Sequence, residues 1–265
     1  EADLQLTANT QPAILTASVA GAACLAERGI TPAVVAGHSL GEYSALVVAG
    51  ALAFTDAVRL VRRRGEFMQE AVPVGVGAMA AIMGIDLAEV ERVCREAAVY
   101  TAGPSDVVGV ANINCPGQIV IAGHREAVLR ALALAAERGG KRSVLLPVSA
   151  PFHSLLMEPA ARRLAEVMES VAVSPLKFPL VRNVDGDLTV DARDVKPFLI
   201  AQVASPVRWT DCVMRMVREG VTTFIEVGPG RVLTGLLRRI AGGVKGYAVE
   251  DPAGLDKMLA ALENR

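Results

Sequence analysis

The chain has 265 residues, of which 52% are hydrophobic and 4% aromatic, and its formal net charge is −1. This length and apolar content suffice for one large domain or two smaller ones. The balanced charge and the scarcity of aromatic side chains argue against a nucleic-acid-binding surface and against electrostatic attachment to a membrane. No apolar stretch is long enough to span a bilayer, and no signal peptide is recognisable, so we expect a cytoplasmic protein.

The four cysteines are widely spaced and include no C-x-x-C pair. This usage is typical of buried thiols in a reducing compartment and indicates neither a disulfide framework nor a zinc site. We therefore expect no bound metal.

The first part of the chain predicts a strand, a tight turn and a helix around Ser39. After a predicted helix over residues 11–27, the apolar run 33–36 predicts a buried strand, and a second helix is expected over residues 40–49. Ser39 lies between them within the nucleophile-elbow pattern Gly37-x-Ser39-x-Gly41, in which a Cβ at either glycine would crowd the turn. The sequence therefore predicts Ser39 as a nucleophile, and the N–H of Leu40 as a donor to an oxyanion.

The next predicted helix, from about Thr55 to about Ala71, carries an arginine on its apolar face. The helical period puts Arg64 on that face, whereas Arg62 and Arg63 point away from it. A core-facing arginine requires an anionic partner or a wet cavity. Arg64 is therefore a candidate ligand-binding residue, and the alternative is a structural ion pair with a buried acid.

A turn-rich break at residues 73–77 precedes a change of pattern. The elements that follow have the order β-α-β-β-α-β, which is the order of a ferredoxin-like unit. The predicted strands cover residues 78–83, 107–113, 118–122 and 143–148, and the predicted helices cover residues 86–98 and 125–137. We therefore predict an α/β fold with a parallel-sheet, hydrolase-like core of residues 1–75 and 149–265 and an inserted ferredoxin-like subdomain of residues 76–148.

Helices and strands alternate through the remainder of the chain, as expected for the predicted α/β core. The predicted helices cover residues 155–170, 192–204, 209–219 and 232–240 and the stretch from 255 onward, and the predicted strands cover 178–182, 223–227 and the neighbourhood of 247.

Three histidines could supply the base that a serine nucleophile needs. His38 is adjacent to Ser39, but neighbouring side chains on a sharp turn diverge, and His124 ends a strand of the predicted insertion. His153 lies in a loop between a strand and a helix, where catalytic groups are concentrated. We therefore predict His153 as the general base.

Four stretches in combination resemble the malonyl-CoA:acyl carrier protein transacylases of type II fatty acid synthesis. They are Gly37–Ala45, Val61–Glu70, Pro147–His153 and Glu226–Gly230, and the resemblance extends from about Gln11 to the C-terminus. It implies an acyltransferase without a cofactor that moves a malonyl group from coenzyme A to the phosphopantetheine thiol of acyl carrier protein. Ser39 would carry the acyl group, and His153 would act as the base in both attacks.

The resemblance also implies roles for four further residues. Arg64 would bind the malonyl carboxylate, and the backbone carbonyl of Gln202 would orient His153. Phe152 would limit the room beside the substrate α-carbon, and Asn183 matches an asparagine near the family's site. Without the resemblance, Phe152 is an ordinary core residue, Asn183 a strand-end cap and Gln202 a polar helix residue.

One feature of the family has no counterpart here. Its N-terminal strand and Gly-Gln-Gly-Ser-Gln loop, which supplies the second oxyanion donor, are absent from this sequence, so we expect the chain alone to be nearly inactive. Two alternatives remain: a serine hydrolase of the α/β-hydrolase kind, and a non-catalytic module that binds a carrier protein. A hydrolase usually takes its histidine from near the C-terminus, and no histidine follows His153.

Docking of an acidic carrier protein requires a local basic surface on this nearly neutral chain. The candidate residues are Arg62, Arg63, Lys141, Arg142, Arg238 and Arg239.

Overall fold

The computed structural model describes residues 2–98, 106–148 and 150–263. In chain order, the helices are α1 (Ala2–Gln5), α2 (Thr7–Glu27), α3 (Gly41–Val48), α4 (Phe54–Glu70), α5 (Leu87–Ala98), α6 (Arg125–Glu137), α7 (Glu158–Glu169), α8 (Ala192–Ala204), α9 (Trp209–Arg218), α10 (Val232–Ile240) and α11 (Pro252–Glu263). The strands are β1 (Gly77–Met83), β2 (Val108–Cys115), β3 (Gln118–His124), β4 (Val144–Leu145), β5 (Leu180–Val181), β6 (Leu188–Thr189), β7 (Thr223–Val227) and β8 (Lys245–Val249).

The contacts between residues divide the chain into two compact units. The first contains residues 1–62, 171–194 and 211–265, and the second contains residues 63–170 and 195–210. The division at residues 75 and 149 stays a prediction, and Ser149 itself lies outside the described residues.

The described residues of the first unit contain two sheets of two strands each. Strands β7 and β8 pair in parallel from Thr223↔Lys245 to Val227↔Val249, and β5 pairs with β6 in antiparallel fashion. Residues of α2, β8 and α11 form one apolar cluster, in which Leu25, Val249 and Met258 are buried. The fold is therefore α/β with mixed sheets.

The loop after β7 leads into helix α10, whose N-terminus is capped by a side chain. The carboxylate of Glu226 accepts the backbone N–H groups of Leu233 and Thr234 at 2.9 and 2.6 Å. Because the first N–H groups of a helix have no intrahelical partner, this carboxylate satisfies two of them at the start of α10.

The predicted strand over residues 33–36 is much shorter than expected. Only Val35 pairs, in a parallel bridge to Leu180, through hydrogen bonds to Pro179 and Val181 at 2.9 and 3.0 Å. The apolar run alone predicts burial, whereas the extent of pairing depends on the equally short partner β5.

A four-stranded antiparallel sheet of order β2-β3-β1-β4 forms the centre of the second unit. Seven residue pairs from Gly77↔His124 to Met83↔Gln118 join β1 to β3. Side chains alternate along β1: Ala80 and Ile82 pack in the cluster that includes α5 and α6, and Met79 packs in a separate cluster.

Among the predicted boundaries that differ from the structure, those of β4 and α7 have local reasons. Strand β4 covers only Val144–Leu145, which pair with Ala81 and Ala80 of β1, and Leu146 adds one hydrogen bond from its N–H to the carbonyl of Met79 at 2.8 Å. The predicted helix over 155–170 begins as a 3₁₀ turn at Leu155–Met157 before α7 starts at Glu158. Pro159 lies in the first turn of α7, where its missing N–H costs nothing, and this explains the position of the helix start.

Two further features concern membranes and cysteines. Within the described ranges, no helix is both long and apolar enough to cross a bilayer. All four cysteines lie in these ranges, and none is in a disulfide; Cys94, Cys115 and Cys212 are buried as expected, whereas Cys24 is exposed, so the expectation of a buried thiol is wrong there.

Candidate active site

Ser39 has the strained backbone that a nucleophile elbow requires. Its φ is +52°, in the left-handed region that residues with a Cβ rarely adopt. It lies between the bridge at Val35 and the start of α3 at Gly41. The predicted sharp turn from strand pairing into helix is therefore present, although the strand is reduced to one bridge.

The two glycines of the elbow are not equivalent. A Cβ on Gly37 would lie 1.9 Å from the carbonyl carbon of Gly41, so Gly37 is required by close backbone approach. A Cβ on Gly41 would meet no atom of the described residues within 4 Å. The expectation that both positions are crowded is correct for Gly37 and wrong for Gly41.

Asn183 holds the elbow through its side chain. Its Oδ1 accepts the backbone N–H of Ser39 at 2.6 Å, and its Nδ2 donates to the carbonyl of Gly37 at 2.8 Å. The backbone N–H of Asn183 donates to Oε2 of Glu42 at 3.1 Å. Asn183 is fully buried, so these bonds satisfy polar groups that water cannot reach.

Glu42 is a member of this network that sequence reasoning missed. Its side chain is 1% exposed. An acidic residue in the first turn of a helix is ordinarily a surface residue that interacts with the helix dipole, so the pattern gives no sign of burial.

The thiol of Cys212 donates to the carbonyl of Arg182 in the same unit, at 3.2 Å. Burial raises the pKa of the Cys212 thiol well above its ordinary value, and the charges of Glu42, Asp211 and Asp185 raise it further. This thiol therefore stays protonated and does not compete with Ser39 as a nucleophile.

His153, in the second unit, has one ring nitrogen committed to a backbone acceptor. Nδ1 lies 2.9 Å from the carbonyl oxygen of Gln202. A carbonyl can only accept, so the proton lies on Nδ1 and Nε2 keeps a lone pair. His153 is 5% exposed, and its φ of +58° is a second left-handed position that the sequence did not predict.

Arg64 contacts Gln202, the same residue that His153 contacts. Its Nη2 donates to Oε1 of Gln202 at 2.9 Å, and its side chain is 2% exposed. The predicted inward orientation of Arg64 on α4 is confirmed by this burial. Gln202 itself has no exposed surface, so one buried residue contacts both the predicted base and the predicted carboxylate-binding group.

The loop that carries His153 is closely packed. The Oγ of Ser154 donates to the carbonyl of Pro151 at 2.6 Å, and a Cβ on Gly77 would lie 2.4 Å from the Pro151 ring. Phe152 packs against a cluster that includes Met79 and Val120. This contact agrees with the interpretation of Phe152 as a core residue, and its role in specificity stays a prediction.

Two of the basic candidates, Arg62 and Arg63, and the histidine His124 have local contacts. Nδ1 of His124 accepts the N–H of Val107 at 2.9 Å, so this histidine is structural. Arg62 donates to the carbonyl of Ala8 at 3.3 Å. Arg63 forms an ion pair with Glu66 at 2.9 Å.

The structure thus brings Ser39 together with Asn183 in the first unit, and His153 together with Gln202 and Arg64 in the second.

The family model described as acyl transferase domain matches residues 1–255. The malonyl CoA-acyl carrier protein transacylase of Bacillus subtilis (strain 168) is 48% identical over 261 residues, which are 98% of this chain and 81% of that protein. The protein of the same name from Escherichia coli (strain K12) is 48% identical over 98% of this chain and 82% of its own length.

Solved structures agree with the sequence relatives. An acyl carrier protein S-malonyltransferase from Vibrio cholerae has a TM-score of 0.93 at 48% identity and covers 97% of this chain and 83% of its own. A malonyl-transacylase in complex with its type II PKS acyl-carrier protein has a TM-score of 0.93 at 46% identity and covers 100% of this chain and 83% of its own. With its elbow serine, its anchored histidine and these relatives, the chain belongs to the acyl transferase domain family and, within it, to the malonyl CoA-acyl carrier protein transacylases.

Proposed function

We propose that this chain transfers a malonyl group from coenzyme A to the phosphopantetheine thiol of an acyl carrier protein through an ester on Ser39. The observation that carries the proposal is the buried cluster on Gln202, where the anchor of a histidine base adjoins an arginine suited to a carboxylate. The family membership and the relative bound to its carrier protein support the same substrates and partner.

In the first half-reaction, Nε2 of His153 takes the proton of the Ser39 hydroxyl as its Oγ attacks the thioester carbonyl. The N–H of Leu40 donates to the oxyanion that forms. Collapse of the tetrahedral intermediate breaks the carbon–sulfur bond, and the imidazolium returns the proton to the departing sulfur of coenzyme A.

In the second half-reaction, His153 takes the proton of the carrier-protein thiol, which attacks the acyl ester. Breaking the carbon–oxygen bond releases the Ser39 hydroxyl, which recovers its proton from the imidazolium. The sequence of steps is a balanced acyl transfer that needs no redox group. Because Nε2 must be unprotonated to act, we expect the transfer rate to fall on acidification.

Arg64 binds the malonyl carboxylate in this proposal. A planar guanidinium matches a carboxylate in two parallel hydrogen bonds, and burial strengthens the interaction because water is excluded. This accounts for a charged side chain on the apolar face of α4.

We also propose the finer architecture of a hydrolase-like core, residues 1–75 and 149–265, with a ferredoxin-like insertion at residues 76–148. The antiparallel order β2-β3-β1-β4 and the alternation with α5 and α6 support it. A location in the cytoplasm is supported by four cysteines that form no disulfide.

Intact-protein mass spectrometry after treatment with malonyl-CoA tests the proposed function. In a protein that carries the family's N-terminal strand and Gly-Gln-Gly-Ser-Gln loop in front of this chain, we expect one malonyl adduct, its loss in Ser39→Ala, and its retention in the matched control Ser44→Ala. Addition of holo acyl carrier protein must then move the adduct to the carrier. Release of free malonate without an acceptor would instead indicate a hydrolase, and an adduct on Ser39→Ala would contradict the assignment of the nucleophile.

A further inference from the structure

Gln202 uses its two oxygen atoms for two different partners. Its backbone oxygen accepts from Nδ1 of His153 and its side-chain Oε1 accepts from Nη2 of Arg64, each at 2.9 Å. The two contacts are chemically independent, because a substitution at position 202 changes the side chain and retains the backbone carbonyl.

The backbone contact follows from the position of Gln202 in its helix. Helix α8 ends at Ala204, so the carbonyl of Gln202 is among the last four of the helix, which have no intrahelical donor. The Nδ1–H of His153 supplies the missing donor. Any residue compatible with the end of the helix would offer the same carbonyl to His153.

The side-chain contact depends on the identity of the residue. Reaching Arg64 requires an acceptor at the end of a side chain as long as glutamine. An amide oxygen is neutral, so this bond orients the guanidinium without cancelling its charge. A glutamate here would hold Arg64 equally close but would occupy it with a carboxylate of the protein itself.

We propose that the side-chain amide of Gln202 is a positioning residue that determines the preference for acyl groups bearing a carboxylate. This inference rests on the proposed function. Gln202 acts through Arg64: it fixes the orientation of the guanidinium so that the fork meets the substrate carboxylate. The same residue holds His153 through its main chain, so selectivity and proton transfer are separable at one position.

Gln202→Met tests this role because methionine has a similar length and no comparable acceptor. We expect kcat/KM for malonyl-CoA to fall about 10–100-fold, the range for loss of a hydrogen bond to a charged group, while kcat/KM for acetyl-CoA changes less than about threefold. The pH dependence of acetyl transfer must stay unchanged, because the carbonyl that holds His153 remains. Gln202→Glu, which adds a competing carboxylate, must lose more malonyl transfer than Gln202→Met.

Gln69→Met is the matched control, since Gln69 lies on α4 with Arg64 and is half-buried. It must leave the ratio of malonyl to acetyl transfer unchanged. In an Arg64→Ala background, Gln202→Met must produce no further change in that ratio, because its effect runs through the arginine. Equal losses with both substrates, or a shifted pH profile, would overturn the inference and indicate a structural role.

NMR of the Arg64 guanidinium gives a readout that needs no turnover. We expect its nitrogen and hydrogen signals to move in Gln202→Met and to stay in place in Gln69→Met. If the unsubstituted protein acquires no malonyl group even with the family's N-terminal segment supplied, the proposed function fails, and these signals still decide whether Gln202 positions Arg64. If the protein does transfer malonyl and the Arg64 signals are unaffected by Gln202→Met, the inference alone fails.

Discussion

The side-chain oxygen of Asn183 accepts the backbone N–H of Ser39 at 2.6 Å across 144 positions of sequence. With its second bond, to the carbonyl of Gly37, this amide holds both sides of a turn whose serine has a φ of +52°. A left-handed serine costs about 1–3 kcal/mol and persists only where surrounding contacts determine the backbone. Asn183 is therefore part of what makes the nucleophile's geometry possible.

Asn183→Ala tests this dependence. We expect the free energy of unfolding to fall by about 2–4 kcal/mol, because two buried backbone groups lose their partners. Acylation of Ser39 must slow as the turn relaxes. Urea denaturation and mass spectrometry of the adduct measure the two effects, and Asn9→Ala, which removes a half-buried asparagine of α2 that is also hydrogen-bonded, is the control. A variant with unchanged stability and acylation rate would show that other contacts hold the elbow.

Gly37→Ala and Gly41→Ala form a matched pair. The added methyl group of Gly37→Ala overlaps the backbone of residue 41, so we expect a loss of about 3 kcal/mol or more in the free energy of unfolding. Gly41→Ala has open space and gains up to about 1 kcal/mol of helix propensity at the start of α3. Thermal unfolding of the two variants compares them. Equal destabilisation would contradict the distinction between the two glycines.

Arg64→Ala must slow the transfer of acyl groups that bear a carboxylate much more than the transfer of neutral acyl groups. We expect malonyl transfer to fall at least about 10²-fold, since a buried bidentate pair contributes a few kcal/mol, while acetyl transfer is spared. Arg64→Lys must recover little, because an ammonium lacks the planar fork. Parallel losses for malonyl and acetyl would favour the structural ion pair that remained an alternative for this arginine.

Cys94 makes stability depend on alkaline pH. Burial raises the pKa of its thiol to about 12, against 9.0 for an ordinary thiol, and the charge of Glu91 contributes. Above pH 9 the unfolded chain releases this proton while the folded chain retains it, so stability that is present at pH 8 is lost as the pH rises towards 12. At pH 10 we expect a loss of about 1 kcal/mol that is absent in Cys94→Ala, measured by urea denaturation at both pH values. An equal dependence of the free energy of unfolding on pH in the unsubstituted protein and in Cys94→Ala would contradict this account.

Docking of the carrier protein must depend on ionic strength if a basic surface steers it. Arg63 pairs with Glu66, whereas Arg238 forms no ion pair with any residue of the described ranges. We expect Arg238→Glu to raise KM for the carrier protein and to leave the kinetics of coenzyme A unchanged, with added salt having the same effect. A transfer rate that is indifferent to salt would remove this hypothesis.

Local patterns predicted most of the long helices because amphipathic spacing and end signals are properties of neighbouring residues. Helix α6 has the predicted bounds, and Arg64 is buried on α4 as the helical period requires. Short elements were harder to predict: residues 33–36 make a single bridge, and the pairing of β6 with β5 was not predicted. Pairing depends on a partner strand that is distant in sequence, which no local pattern reports.

The candidate site likewise contains residues that local patterns predicted and residues that they did not. The elbow was predictable at Ser39 because Gly37 and Gly41 lie two residues before and after it in the sequence. The burial of Glu42 and the left-handed φ of His153 were not, since each depends on contacts with remote segments. The role of the Gln202 carbonyl came only from the family resemblance, because nothing in a polar helix residue indicates which histidine its carbonyl meets.

The cap at the start of α10 has a consequence for identifying inactive homologues. Glu226 belongs to one of the four stretches that mark the family, yet its carboxylate binds the N–H groups of Leu233 and Thr234 within its own unit. A related sequence that has lost its nucleophile would still need this cap to begin the helix. Retention of Glu226-Val227-Gly228-Pro229-Gly230 in such a sequence therefore reflects the need for this cap, and the residues at the elbow and the histidine loop are the ones to inspect when an enzyme is distinguished from a pseudoenzyme.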